Sequence, residues 1–312
     1  MATVLNSLQG RDLLSLADIT ASELALLLDL AAQIKAGKVK PHCPQVLGLI
    51  FAKASTRTRV SFSVAMYRLG GQVLDLRPEA TQVGRGEPIE DTARVLTRYV
   101  DALAIRTFDQ QDIITFAQYA DIPVINALTD LEHPCQILAD LLTVQEIFGQ
   151  LQGLTLTYLG DGNNVAHSLL LGCALAGVNL RLATPPGYQP LPELVAQAKL
   201  LAGDRSTITL TSDPEQAVAD AHVLYTDVWA SMGQEESAPN RLPIFKPYQI
   251  NQARLQSAAP EAIVLHCLPA HRQEEITTEV MEGPQSRVWD QAENRLHAQQ
   301  ALLAGILGAK ID

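Results

Sequence analysis

The sequence is poor in cysteine, with four thiols among 312 residues. Cys43, Cys135, Cys173 and Cys267 are far apart, and none belongs to a C-x-x-C pair. This spacing fits neither a disulfide framework nor a zinc ribbon, both of which need closely spaced or paired cysteines. The sequence therefore predicts free thiols in a reducing compartment, and we expect a cytoplasmic protein.

Long apolar runs are also missing. No stretch approaches ~18 unbroken apolar residues, the length that a membrane-spanning helix needs. Residues 1–11 lack the apolar core of a signal peptide. We therefore expect no association with a membrane.

Positive charge is scarce, because 23 Lys and Arg stand against 34 Asp and Glu and give a formal net charge of −11. A nucleic-acid-binding surface normally needs a clustered excess of positive charge, so nucleic acid is not expected as a partner. Any anionic ligand must be held by a local group of cationic side chains that acts against the overall field.

Hydrophobic residues make up 47% of the chain, which is enough to bury a sizeable core. Runs of strand length alternate with amphipathic stretches of helix length. Strands are predicted at 46–51, 73–76, 102–106, 124–127, 154–159, 178–183, 207–210, 222–226 and 263–266. Helices are predicted at 20–35, 56–69, 89–99, 112–120, 135–148, 164–176, 191–201 and 291–307. This alternation predicts an α/β fold with parallel sheets that are covered on both faces.

The length of the chain and a glycine-punctuated break at 149–153 predict two domains, on a prior of ~150 residues per domain. We expect two doubly wound parallel-sheet domains joined by interdomain helices. The first covers residues 1–135 and the second residues 150–290. A closing helix at about residues 291–312 is expected to pack back on the first domain.

At 55–59 the sequence Ser-Thr-Arg-Thr-Arg follows a predicted strand and opens a helix. Ligands of open α/β sheets bind beyond the carboxyl ends of the strands. The free N–H groups and the dipole of a helix N-terminus attract anions there. Two arginines among three hydroxyls therefore indicate a phosphate site. The alternative is an ordinary helix cap with exposed arginines.

Three further cationic or titratable residues take comparable positions. Arg106 ends a strand, and His133 opens a helix. Protonation of a histidine at a helix start is disfavoured, so a neutral imidazole can donate a hydrogen bond there. A simple capping histidine is the alternative. Arg295, on the closing helix, would by default be a solvated charge.

The turn at 160–164, Gly-Asp-Gly-Asn-Asn, invites a dinucleotide-binding interpretation. The glycine pattern is incomplete, however, because Val165 occupies its sixth position. The next strand also ends without the acidic residue that binds a ribose hydroxyl. A turn that lines a substrate pocket fits these residues better than an NAD site.

Two more strand ends carry reactive groups. Asp227 can pair with a substrate amine. The segment after it, to about residue 240, is predicted to be a mobile loop. Trp229 and Met232 are unusual residues for such a loop. Cys267 follows His266, but neighbouring strand residues point to opposite faces, which disfavours a Cys–His dyad. The spacing of the His and Cys residues also matches no usual zinc pair.

Taken in order, these segments resemble the carbamoyltransferases. The 55–59 run, the segment 133–136 (His-Pro-Cys-Gln) and Arg295 are similar to the half that binds carbamoyl phosphate. Asp227 with 231–233 (Ser-Met-Gly), and 266–269 (His-Cys-Leu-Pro), are similar to the half that binds ornithine. The resemblance extends from Ser55 to the closing helix.

The resemblance implies a homotrimer and the following residues. The expected carbamoyl-phosphate contacts are Ser55, Thr56, Arg57, Thr58, Gln82, Arg106, His133, Gln136, Cys267, Leu268 and Arg295. The expected ornithine contacts are Asn164, Asp227, Ser231 and Met232. The expected catalytic residues are Arg106, His133, Asp227 and Cys267.

The activity that the resemblance implies is transfer of the carbamoyl group from carbamoyl phosphate to the side-chain amine of L-ornithine. The products are L-citrulline and phosphate, in arginine biosynthesis or in the reverse direction. No metal or organic cofactor is expected. Acetylornithine or putrescine remains an alternative acceptor. Aspartate is opposed by Asp227 and the Ser-Met-Gly segment, and NAD-dependent oxidation is opposed by the incomplete glycine pattern. A non-catalytic binding protein would be free to lose Arg57, His133 or Cys267, all of which are present.

Overall fold

The structure, a computed structural model, describes residues 7–53, 55–77, 86–230 and 238–311. Three of the residues predicted to bind substrate, Gln82, Ser231 and Met232, lie outside these ranges. The chain forms two compact units. Unit 1 comprises Met1–Leu142 and Asn294–Asp312, and unit 2 comprises Thr143–Glu293.

Strands and helices alternate along most of the chain. The strands are β1 (Pro41–His42), β2 (Val46–Phe51), β3 (Gln72–Leu76), β4 (Ala102–Arg106), β5 (Val124–Leu128), β6 (Thr155–Leu159), β7 (Asn179–Ala183), β8 (Ile208–Thr211), β9 (Val223–Thr226), β10 (Ile263–His266) and β11 (Lys310–Ile311). The α-helices are α1 (Ala21–Lys35), α2 (Thr56–Arg68), α3 (Ile89–Leu96), α4 (Gln110–Tyr119), α5 (Pro134–Phe148), α6 (Asn164–Ala176), α7 (Pro192–Ala202), α8 (Pro214–Val218), α9 (Ala238–Phe245), α10 (Gln252–Gln256), α11 (Thr278–Met281) and α12 (Val288–Ile306). The boundaries between the two units fall inside α5 and α12.

Unit 1 contains a four-stranded sheet in the spatial order β3-β2-β4-β5. Every neighbouring pair in it is parallel. The chain leaves β2 toward β3 and then returns to the other side of β2 as β4. The loops after β2 and β4 therefore diverge and leave a crevice between them, which is where open α/β sheets bind ligands.

The packing of this sheet follows from its sequence. All but the first of the six β2 residues are buried, as a strand covered on both faces requires. Gly48 lets β4 approach closely, because a Cβ atom there would lie 2.8 Å from the Leu103 side chain. Ile113 and Phe116 of α4 complete the core on that face, and each such side chain contributes ~1.5–3 kcal/mol when fully buried.

The first helix begins where the sequence predicts it. The Glu23 amide donates to the Thr20 hydroxyl at 3.2 Å, and the Thr20 amide donates to the Glu23 carboxylate at 2.8 Å. This reciprocal capping box satisfies two N–H groups that the helix itself leaves unpaired.

Unit 2 contains a five-stranded parallel sheet in the order β10-β9-β6-β7-β8. The chain runs from β6 outward to β8 and then returns to the other side of β6 as β9. A second crevice therefore lies between the loops that follow β6 and β9. These loops hold Asp161 and Asn163 on one side and Asp227 on the other.

The predicted parallel α/β architecture is confirmed. Residues 231–237 of the loop predicted after Asp227 lie outside the described ranges, and α9 begins at Ala238, close to the predicted end at about residue 240. Short helices such as α8 and α10 were not predicted, and neither was the antiparallel pair of β1 with β11. These elements are too short for hydrophobic periodicity to reveal them. Among the described residues, no helix is both long and apolar enough to span a bilayer.

Candidate active site

In unit 1, the ends of β2 and β4 bring Ser55 and Arg106 together. Phe51 and Arg106 are register partners at the carboxyl ends of the two strands. Ser55 occupies the N-cap position of α2, yet its side chain makes no capping hydrogen bond. Its hydroxyl instead accepts a hydrogen bond from Arg106 Nη1 at 3.1 Å. The polar end of the β2–α2 loop is therefore directed toward a guanidinium rather than toward its own helix.

The last helix adds a second guanidinium to this group. Arg295 donates from Nη2 to the Thr58 hydroxyl at 2.9 Å and from Nη1 to the Gln136 side-chain oxygen at 2.6 Å. Gln136 in turn donates to Asp140 at 2.8 Å. Arg295, Thr58 and Gln136 are all buried. The default alternative, a solvated Arg295, is therefore excluded, because this side chain is buried in unit 1.

His133 precedes the first turn of α5 and is buried. Burial lowers its pKa well below the usual value of 6.5, and the positive charges of Arg295, Arg106 and Arg57 lower it further. The imidazole is therefore neutral near pH 7 and can donate one hydrogen bond. The sequence predicted a neutral histidine from the helix start alone, whereas the three arginines are a tertiary effect.

The two arginines of the 55–59 run take different environments. Arg59 forms an ion pair with Asp75 of β3. Arg57 and Thr56 are exposed, and Arg57 acts electrostatically on His133. Arg57 is therefore grouped with the residues around His133. We define the unit 1 cluster as Ser55, Arg57, Thr58, Arg106, His133, Gln136 and Arg295.

In unit 2, Asp227 lies in the crevice between β6 and β9 and is buried. One carboxylate oxygen accepts a hydrogen bond from Asn163 Nδ2 at 2.8 Å. The other accepts from the Cys267 thiol at 2.9 Å. The structure therefore joins the two predicted catalytic residues of this unit, Asp227 and Cys267, in one hydrogen-bonded pair.

Sequence reasoning selected Asn164 and missed its neighbour Asn163. Asn163 is the N-cap of α6, and its side-chain oxygen accepts from the amides of Val165 and Ala166. Its side-chain nitrogen donates to Asp227. An asparagine immediately before a helical stretch is a common N-cap, and this signal could have identified it.

The 266–275 segment holds a buried hydrogen bond between His266 and Glu275 that the sequence did not predict. His266 Nε2 lies 3.0 Å from Glu275 Oε1, and both side chains are buried. The Leu268 amide donates to His266 Nδ1 at 2.9 Å, which places the ring proton on Nε2. His266 and Cys267 thus have different partners, as the opposite faces of a strand require.

Two groups of residues in the described part of the chain have the donor atoms for a metal ion. Asp227, His266 and Cys267 form one, and His271, Glu274 and Glu275 form the other. In the first group both His266 ring nitrogens are already engaged, by Glu275 and by the Leu268 amide. A metal ion bound by Asp227, Cys267 and His266 together would have to displace one of the two His266 hydrogen bonds.

The predicted carbamoyl-phosphate contacts are divided between the units. Cys267 and Leu268 belong to unit 2, whereas the other described members of that set belong to unit 1. Gln82 is outside the described residues, as are Ser231 and Met232 of the predicted ornithine set.

Comparison with known proteins gives matches in both halves of the chain. The family model described as "Aspartate/ornithine carbamoyltransferase, carbamoyl-P binding domain" matches residues 11–146. The model described as "Aspartate/ornithine carbamoyltransferase, Asp/Orn binding domain" matches residues 152–306. The fold and these matches define an α/β protein of the carbamoyltransferase class. The chain belongs to the aspartate/ornithine carbamoyltransferase family.

Individual relatives agree with this assignment. An ornithine carbamoyltransferase from Thermosynechococcus vestitus is 69% identical over 304 residues, which cover 97% of this chain and 98% of the relative. The crystal structure of the ornithine carbamoyltransferase from Gloeobacter violaceus is 58% identical with a TM-score of 0.89, over 96% of this chain and 100% of that one. The enzyme from Pyrococcus furiosus is 50% identical with a TM-score of 0.92, over 96% and 98% of the two chains.

Proposed function

We propose that this chain transfers the carbamoyl group of carbamoyl phosphate to the side-chain amine of L-ornithine. The observation that carries the proposal is that each unit holds a polar group of the expected chemistry, the Asp227–Cys267 pair in unit 2 and the unit 1 cluster in unit 1. Relatives named ornithine carbamoyltransferase, 62–69% identical over nearly the whole chain, support the same substrate pair. Acetylornithine and putrescine are not favoured as acceptors.

Unit 1 is proposed to bind carbamoyl phosphate, as the description of its family model suggests. Ser55, Thr56 and Arg57 would hold the phosphate at the N-terminus of α2, where the free N–H groups and the helix dipole favour an anion. Thr58 and Arg106 would reach both the phosphate and the carbamoyl group. This arrangement stabilises the leaving group as the bond between the carbamoyl carbon and the phosphate oxygen breaks.

The carbamoyl oxygen becomes negatively charged when the amine attacks. Arg106 is charged and His133 is neutral, and both are preorganised by burial or by hydrogen bonds. Preorganised donors in a water-poor site stabilise such an oxyanion more than water does. Gln136 and Arg295 would orient the carbamoyl group. Gln82 is included among the carbamoyl-phosphate contacts only because of the family resemblance.

Unit 2 is proposed to bind ornithine. Asp227 and Asn164, with Ser231 and Met232, would hold its α-amino and carboxylate groups. The side-chain amine has a lysine-like pKa of ~10.4, so only about one molecule in a thousand is uncharged near pH 7.4. The site must therefore favour the neutral amine, and the Cys267 thiol hydrogen-bonded to Asp227 offers a route for the proton that leaves it.

The experiment that tests this function measures carbamoylated product from carbamoyl phosphate with ornithine, acetylornithine, putrescine and aspartate as separate acceptors. A strong preference for ornithine supports both halves of the proposal. Activity with another acceptor would keep the carbamoyl-phosphate half and overturn the assignment of unit 2. No turnover with any acceptor, in a protein that is folded by circular dichroism, would contradict the proposal.

A homotrimer is proposed as the assembly. Unit 1 exposes large hydrophobic side chains on α2, β3 and α3, including Val60, Tyr67, Leu74 and Val95. β3 is also the edge strand of its sheet. Exposed apolar side chains of this size commonly mark protein interfaces. Sedimentation of the unvaried chain and of Tyr67→Arg tests this, and a monomeric unvaried chain would contradict it.

The cytoplasm is proposed as the location, because all four cysteines are free thiols and three of them are buried. Fractionation of cells that express the chain, with a periplasmic marker as reference, checks this.

A further inference from the structure

Unit 2 contains a buried ion pair that the proposed chemistry does not use. Asp161 follows β6, and Arg241 lies on α9. Arg241 Nη2 is 2.5 Å from Asp161 Oδ2, and the two side chains are 9% and 11% exposed. A buried ion pair is often no better for stability than an apolar pair of the same size, because both charges lose their hydration. Its presence at the β6–β9 crevice therefore calls for a role other than stability.

The Asp161 side of the pair lies on a closely packed turn. A Cβ atom on Gly162 would lie 2.2 Å from the Pro190 nitrogen, and the Gly162 amide donates to the Tyr188 carbonyl at 2.9 Å. Asn163, the next residue, donates to Asp227. Asp161 is thus fixed to the same turn that holds the proposed substrate-binding carboxylate.

The Arg241 side of the pair lies against aromatic rings. Its guanidinium is 4.9 Å from the centroid of Tyr188 and 5.1 Å from that of Phe245. Phe245, also on α9, stacks on Trp229 with centroids 6.0 Å apart. Trp229 is two residues after Asp227 and is buried. Arg241 therefore belongs to the aromatic group that packs the chain immediately after Asp227.

These contacts form a closed ring. It runs from Asp161 through Arg241 and Phe245 to Trp229, and returns through Asp227 and Asn163. The Asp161–Arg241 ion pair joins α9 directly to the β6 turn in this ring. Tyr188 connects the same two elements less directly, because its ring contacts Arg241 and Phe245 and its carbonyl accepts from the Gly162 amide.

We propose that Asp161 is a positioning residue for the amino-acid substrate, because its ion pair with Arg241 closes this ring and fixes Asp227 in the orientation that meets Asn163 and Cys267. The inference rests on the proposed function, in which Asp227 acts on ornithine. Loss of the ion pair impairs ornithine use and leaves the KM for carbamoyl phosphate unchanged, because most of the contacts proposed for that substrate belong to unit 1.

The alternative role for the pair is purely structural, and it makes a different prediction. A structural ion pair changes the melting temperature and affects the two substrates equally. Arg254 supplies a matched control in the same unit, since it is equally buried at 9% and pairs with Glu215 of α8. The control Arg254→Gln is expected to lower the melting temperature without changing either KM.

The experiment compares Asp161→Asn, Arg241→Gln and the double variant with Arg254→Gln. In each single variant the KM for ornithine is expected to rise by about tenfold or more, the usual range for losing the group that orients a site residue. The KM for carbamoyl phosphate is expected to stay unchanged. The double variant places Asn and Gln side by side, which can share a neutral hydrogen bond, so it is expected to recover part of the ornithine KM. The double variant also allows the test to be made if a single variant does not fold.

The pH dependence gives a second readout. Burial raises the pKa of Asp161 to about 6, with Arg241 opposing and Asp227 adding to the shift. In the described part of the chain, the charged or titratable groups that act on Asp161 are Arg241 of α9, Asp227 after β9 and Tyr158 of β6. The ratio of the ornithine KM of Asp161→Asn to that of the unvaried chain is therefore expected to be largest above about pH 6 and to shrink as the pH falls below it. A ratio that is constant with pH would overturn the role of the charge.

Tryptophan fluorescence separates this inference from the proposed function. Trp229 is 2% exposed and Trp289 is 56% exposed, so Trp289→Phe leaves Trp229 as the sole reporter. In that background Asp161→Asn is expected to shift the Trp229 emission to longer wavelength, whether or not the chain forms citrulline. Unchanged emission together with an unchanged ornithine KM would overturn the proposal, as would equal changes in both KM values. Absence of citrulline from the unvaried chain would count against the proposed function alone.

Discussion

Arg295 donates a hydrogen bond to the Thr58 hydroxyl at 2.9 Å, although 237 residues separate them in the chain. Thr58 lies in the first turn of α2, and Arg295 lies in α12. The contact links the phosphate-binding helix proposed for unit 1 to the last helix of the chain. A side chain that sequence position alone would assign to solvent is in this way a buried member of the unit 1 cluster.

Arg295→Lys tests how far this link depends on the guanidinium. Lysine keeps the charge but cannot reach Thr58 and Gln136 together, because it lacks the planar fork of donors. We expect a loss of kcat/KM of ~10-fold to 100-fold, as the loss of a charge-assisted hydrogen bond of about 1.5–3 kcal/mol implies. Steady-state assays measure this, and Lys35→Met, which alters another contact of α12, is the control. Equal activity of Arg295→Lys and the unvaried chain would contradict the assignment.

Arg57→Gly is expected to abolish the binding of carbamoyl phosphate. Arg57 is exposed and is the arginine of the 55–59 run that acts on His133. Arg59→Gly is the matched control, because Arg59 is already paired with Asp75. Calorimetric titration with carbamoyl phosphate measures the difference. Near-normal saturation of Arg57→Gly would remove this residue from the phosphate site.

His133 is expected to make the protein less stable in weak acid. Its pKa in the folded protein is well below 6.5, so below pH 6.5 the unfolded chain binds a proton that the folded chain does not. The free energy of unfolding then falls as the pH drops, by at most about 1.4 kcal/mol per pH unit from this group. Urea denaturation of the unvaried chain and of His133→Gln, at about pH 7.5 and about pH 5.5, measures it. The variant should lose less stability between the two conditions, and equal losses would refute the expectation.

Cys267→Ser is expected mainly to lower kcat and to change its dependence on pH. The thiol is hydrogen-bonded to Asp227 at 2.9 Å and is replaced by a hydroxyl, which loses its proton far less readily. The KM for carbamoyl phosphate should change little. Cys173→Ser is the control, since Cys173 is buried in α6. An unchanged pH profile of Cys267→Ser would remove the thiol from the path of the proton.

Asp227→Asn is expected to weaken the binding of ornithine far more than the binding of carbamoyl phosphate. The change removes the negative charge that faces Asn163 and Cys267 while keeping the size of the side chain. We expect the ornithine KM to rise by on the order of 100-fold, since truncating a buried charged contact costs several kcal/mol. Separate titrations of the two substrates measure the ratio, and a parallel loss for both would point to misfolding of unit 2 instead.

Local features of the chain could be predicted because the interactions that create them join neighbouring residues. The capping box of Thr20 and Glu23 spans one turn, and β2 is a continuous apolar run. The hydroxyls and arginines of 55–59 are adjacent, so their anion-binding character is visible without a fold. Asp227 and Cys267 could be selected singly because each ends a predicted strand.

Pairings between distant residues could not be predicted in the same way. Arg59 pairs with Asp75 and Arg57 acts on His133, although the two arginines look equivalent in the chain. Asn163 both caps α6 and donates to Asp227, which lies 64 positions further along the chain. The Asp161–Arg241 pair joins residues 80 positions apart.

The sequence by itself determined the alternation of strands and helices, the polar ends of the strands and the family to which they are similar. Hydrophobic periodicity and capping involve residues a few positions apart, so both can be recognised from the order of residues in the chain. The tertiary structure alone decided which charges are buried, which side chains are partners and which three arginines lower the pKa of His133 further. Those properties depend on strand order and on the desolvation of groups brought together from distant parts of the chain, and a linear pattern contains no record of either.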